Sequence, residues 1–127
     1  MKITINDKRK IFAIQEAFSE MFPYLKLEFY VKPSKSGGAS PKKFMRSSSK
    51  TIGECRTVNS NGTLTILPKM RITDLEQGFS DTFGLAVQVF RKSGSNWIET
   101  SSTVNWTLEE ENRAGEEMSR PTAESIK

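Results

Sequence analysis

Ile72-Thr73-Asp74-Leu75-Glu76-Gln77-Gly78-Phe79-Ser80-Asp81-Thr82-Phe83-Gly84-Leu85-Ala86-Val87-Gln88-Val89-Phe90 changes its period half-way along, and that change decides the fold. Ile72, Leu75, Phe79 and Phe83 recur every three or four residues, one stripe of a helix. From Leu85 the apolar residues alternate as Leu85, Val87, Val89, one face of a strand, and Gly84 between the two suits a helix-ending position. Leu64 and Ile66 alternate just upstream, so the stretch reads strand, helix, strand. About sixty residues earlier the same succession runs Ile3, Ile5, then Ile11, Ile14, Phe18, Phe22, then Leu25, Leu27, Phe29.

A doubled β-α-β unit predicts one α+β domain, with helices on one face of a sheet. The strands are expected at 2–6, 25–31, 63–67, 85–91 and 96–101. If each unit leaves a gap filled by a strand of the other, residues 2–101 form one ferredoxin-like antiparallel sheet. The fifth strand extends it beside the fourth through the turn Lys92-Ser93-Gly94-Ser95. A β-grasp arrangement, with the second helix across a mixed sheet, is the alternative. Asp7 is the expected N-cap of a first helix over 8–22, which Pro23 stops. Capping boxes are expected at Thr51–Glu54, Thr73–Glu76 and Thr107–Glu110, the last opening a C-terminal helix that fades by Met118. The domain is expected over 1–118, followed by a disordered tail at 119–127.

Residues 33–50 differ in kind. Ser34, Ser36, Gly37, Gly38, Ser40, Pro41 and Ser47–Ser49 stand among Lys35, Lys42, Lys43, Arg46 and Lys50, with no acid. Such a segment buries too little apolar surface to offset the entropy of ordering, and it reads as a mobile basic loop pinned only by Phe44 and Met45. From Thr107 the charge reverses, through Glu109, Glu110, Glu111, Glu116, Glu117 and Glu124. The net charge of +4 therefore describes a near-neutral body with a basic loop and an acidic end.

No apolar run approaches a membrane span, and Met1–Asp7 lacks the apolar stretch of a secretory leader. One cysteine, Cys55, allows no internal disulfide, which suits a reducing cytoplasm. The chain has no histidine, so the commonest general base and the His-activated nucleophiles are absent. One cysteine without histidine cannot make a zinc site, and no glycine-rich nucleotide motif is present. Catalytic, cofactor-binding and metal-binding residues are thus expected to be none, and Cys55 reads as an inert thiol.

The open face of the sheet is the candidate surface. If the helices cover Leu27, Phe29, Val87 and Val89, the opposite face carries Tyr30, Phe90 and Trp97 among Lys26, Lys32 and Lys92. Aromatics in an exposed cluster mark an interface, with Trp106, Leu108, Met118 or a second copy of the chain as candidate covers. A small non-catalytic protein-interaction or self-associating module is the expectation. The alternative is single-stranded nucleic-acid binding, by stacking on this face and steering by the basic loop. The sheet-based RNA-binding arrangement with aromatics on two central strands is missing, since those strands offer Lys2, Thr4, Thr63 and Thr65.

Overall fold

The computed structural model describes residues 2–31, 43–45, 49–57 and 62–119, with the backbone alone at 31 and 43–45. The chain runs β1 (Ile3–Ile5), α1 (Ile11–Met21), β2 (Leu25–Val31), β3 (Lys43–Met45), α2 (Ile52–Cys55), then β4 (Leu64–Ile66), α3 (Ile72–Phe83), β5 (Ala86–Ser93), β6 (Asn96–Glu99) and, after a 3-10 turn at Ser101–Thr103, α4 (Leu108–Ser119). The order β-α-β-β-α thus occurs twice, and the fold is mixed helix and strand with two antiparallel sheets.

The expected single interleaved sheet does not form. Strands in like positions pair with each other: β1 with β4 in a two-stranded ribbon, and β2 with β5 inside a four-stranded sheet ordered β3-β2-β5-β6. Thr4 lies opposite Thr65 and Glu28 opposite Gln88, so equivalent positions face each other across both ladders. Alternation assigns a strand's faces but leaves its neighbours open. The two longest strands bond best to each other, through six residue pairs. The three-residue β1 and β4 would end such a ladder early. Every strand pairing among the described residues is antiparallel, so they do not form the mixed β-grasp sheet either.

The register puts Leu25, Leu27 and Phe29 on one face with Arg91, Val89 and Val87. That face meets Ile11, Ile14 and Phe18 of α1, Ile72, Leu75, Phe79 and Phe83 of α3, and Leu108 of α4 in one buried core. The ribbon adds Ile3, Ile5, Leu64 and Ile66. Phe29 and Phe79 meet edge to face at 5.3 Å, the favoured aromatic geometry. The helices therefore share one side of the four-stranded sheet, and the stripe that predicted them is the core.

Helix starts depart from the expected caps. α1 begins at Ile11, whose amide bonds the Lys50 carbonyl at 3.0 Å. Asp7 does not cap it; its carbonyl accepts from Gly53 and its carboxylate pairs with Arg56. α3 begins at Ile72, not after Thr73, and Asp74 accepts from the Arg71 amide. The boxes at Thr51–Glu54 and Thr107–Glu110 do form. They open α2 and α4, which dock alike. Ile52 N–H bonds Arg9 O at 2.8 Å, as Leu108 N–H bonds Met70 O at 2.9 Å. The contact was not visible in the sequence because α2 follows a three-residue strand, β3, inside the expected mobile loop.

Gly84 ends α3 at φ +66°. The β5–β6 hairpin closes through Gly94-Ser95, with Gly94 at φ +65° in the first loop position, as a type II′ turn requires. Lys32, Lys35, Lys42 and Arg46 lie outside the described residues, as does the tail beyond Ser119.

Candidate interaction surface

The outer face of the four-stranded sheet is the side away from the helices. β2 places Lys26, Glu28 and Tyr30 there, β5 places Ala86, Gln88, Phe90 and Lys92, and β6 places Trp97 and Glu99. The Lys26 ammonium lies 5.4 Å from the Phe90 ring centre and 5.1 Å from that of Trp97. Lys92 is 5.9 Å from Trp97. Four of the six expected residues thus form one cation–π cluster, held because Lys26 is directly opposite Phe90 and Lys92 directly opposite Trp97.

Tyr30 departs from expectation. It stands on this face, yet it is only 6% exposed. β3 lies along β2 there, with Tyr30 between Ala86 on one neighbour and Phe44 on the other. Burial holds its hydroxyl above the usual tyrosine value, and the nearby charges of Glu99 and Glu28 add to the effect. The exposed part of the cluster is Trp97, 38% exposed on the edge strand.

The other expected contributors are elsewhere. Trp106, Leu108 and Met118 do not cover the outer face: Leu108 is in the core, and Trp106 stacks 6.0 Å from the inner-face Arg91. Of the basic loop, Lys43 is on β3 opposite Val31, at the far side of the sheet from β6, and the exposed Lys50 adjoins the start of α2. Cys55 is half-buried, and burial raises its thiol above the ordinary value. Among the described residues no group of three or more Cys, Asp or Glu is placed to hold a metal, and no helix is long and apolar enough to cross a membrane.

Sequence reasoning missed a polar cluster on the inner face. Glu111, one of the acids assigned to the solvated end of the chain, is fully buried. Its Oε1 accepts from Arg91 Nη1 at 2.9 Å, and its Oε2 accepts from the Thr103 hydroxyl. Two signals pointed to it. Arg91 continues the inward phase of Val87 and Val89, and Glu111 falls three residues after Leu108 and four before Gly115, the three buried positions of α4.

Side chains also cover backbone at the sheet's flanks. Gln15 and Ser19 of α1 donate to the Leu27 and Leu25 carbonyls, at 3.0 and 3.4 Å, where β2 extends past β3. The buried Thr100 hydroxyl donates to Val89 O at 2.9 Å, where β5 extends past β6.

No family model, no curated protein and no solved structure matches this chain.

Proposed function

We propose that this chain is a non-catalytic protein-binding module that engages its partner through the outer face of the four-stranded sheet, centred on Trp97. The observation that carries the reading is Trp97 itself: a large aromatic, 38% exposed, held between two lysine ammoniums on an edge strand. Half-exposed aromatics with a polar rim are what protein interfaces use as anchors, because they bury much area for few frozen torsions. Glu28 and Glu99 on the same face add acceptors for a polar partner.

The geometry supports nucleic acid less well. A base stacking on Trp97 or Phe90 competes with the chain's own ammonium groups, Tyr30 is buried, and Glu28 and Glu99 repel phosphates. The test is photocrosslinking in the cell of origin with a benzophenone amino acid at position 97, and separately at the exposed Lys69 away from this face. The expected result is a discrete protein adduct from position 97 alone. Adducts in equal yield from both positions, or none from position 97, would refute the reading.

A further inference from the structure

We infer that the partner is a second copy of this chain, joined by antiparallel pairing of β6 with β6 across a two-fold axis; this rests on the outer-face reading above. The backbone carries the argument. The Lys92 amide donates to Tyr24 O, so the even residues of β5 point their peptide groups toward β2 and the odd ones toward β6. Arg91 opposite Ile98 and Ser93 opposite Asn96 are then the bonded pairs of the hairpin. Trp97 and Glu99 consequently aim their N–H and C=O groups away from the sheet. Among the described residues nothing meets them.

Elsewhere this protein covers its sheet flanks, with Gln15 and Ser19 on β2 and Thr100 on β5. Proteins guard free edges with short strands, charges, proline, bulges or a covering element. Asn96-Trp97-Ile98-Glu99 is short and carries the charge of Glu99, but it has no lysine, proline or bulge, and its register with β5 is unbroken.

The strand is also complementary to itself. Two-fold pairing that uses both outward residues is centred on Ile98, which puts Trp97 of each copy opposite Glu99 of the other. Opposed side chains then lie about 5 Å apart. Lys92, already leaning over the Trp97 ring, is aimed at the incoming Glu99, and Ile98 meets its own mate on the inner side. The result is one continuous eight-stranded sheet made of two four-stranded ones.

Sedimentation velocity on the full chain across the micromolar range tests this. Wild type is expected to dimerise. Trp97→Glu sets Glu against Glu99 of the mate and should weaken the dimer about 30-fold or more, the size of a lost anchor residue. Trp97→Lys sets opposite charges together and should keep more of the dimer than Trp97→Glu. Trp97→Glu with Glu99→Lys should restore it. Both positions changed are solvent-facing, and unchanged thermal unfolding of the three variants checks that they fold. A monomeric wild type, equal dimerisation by Trp97→Glu, or failure of the charge exchange to restore would each overturn the pairing. A monomeric wild type whose position 97 crosslinks to a different protein overturns the pairing and leaves the outer-face reading standing; no adduct from position 97 defeats both.

Discussion

Removing the Glu111 carboxylate should be among the most damaging single changes to this protein. Glu111 is fully buried, and Arg91, opposite it, has a side chain only 13% exposed. Glu111→Ala leaves a guanidinium charge without its counter-ion and leaves the Thr103 hydroxyl only the Thr100 carbonyl, 3.3 Å away, as acceptor. Arg91 Nε is already buried with no partner, so the arginine has little to fall back on. Breaking a buried ion pair from one side costs about 3–5 kcal/mol, because the remaining charge is still desolvated. In urea this should lower the unfolding midpoint by about 2 M, for an m-value of about 2 kcal/mol/M. The pair itself contributes far less than its breakage costs. Replacing both partners, Arg91→Met with Glu111→Leu, should therefore return stability to within about 1 kcal/mol of wild type. A loss below about 1 kcal/mol for Glu111→Ala would refute the reasoning, since surface positions give that much. So would a double variant no more stable than the single one.

Three other outcomes follow from close contacts and titrating groups. Gly115→Ala would set a methyl 2.9 Å from Tyr24 Cβ and 3.1 Å from Tyr24 O, pushing α4 off the start of β2. The overpacking cost of about 1–3 kcal/mol should exceed the helix-propensity gain of about 1 kcal/mol, so the Tm should fall, and a rise would show that α4 can lift freely. Glu54 and Glu110 are held below their ordinary 4.5, first by the backbone amides and then by the side chains of Thr51 and Thr107. A lowered carboxylate contributes stability that is present above its unfolded value and lost as pH falls through its folded one. Unfolding monitored by circular dichroism should accordingly show an acid-side decline below pH 4.5 that is shallower in Glu110→Gln, which keeps an oxygen acceptor but cannot titrate; an unchanged slope would contradict the cap. Cys55, raised by burial, should react with a thiol reagent at neutral pH more slowly than the urea-unfolded chain, and equal rates would show that it is not shielded.

Much of the candidate surface was legible in the strands. Alternation puts Lys26, Phe90 and Lys92 on the side opposite Leu27 and Val89, and the Gly94-Ser95 turn sets β6 beside β5 so that Trp97 joins them. Tyr30 shares that phase, and its burial could not be foreseen because it depends on β3, a three-residue strand inside a segment read as loop. Glu111 illustrates the opposite difficulty. In a run of three glutamates each looks solvated by composition; helical spacing from Leu108 singles out Glu111 once Leu108 is known to face inward, and the docking of α4 on Arg91 decides that.

Sequence by itself determined the elements other than β3, because periodicity, proline and glycine stops and two of the three capping boxes act over a few residues at most. It determined which side of each strand and helix is apolar, hence the core of Phe18, Phe29, Phe79 and Phe83. Tertiary structure decided which strands are neighbours. The same inward faces would have served an interleaved sheet, and the choice went to the longer ladder between β2 and β5, an interaction between residues about sixty positions apart to which no local pattern is sensitive.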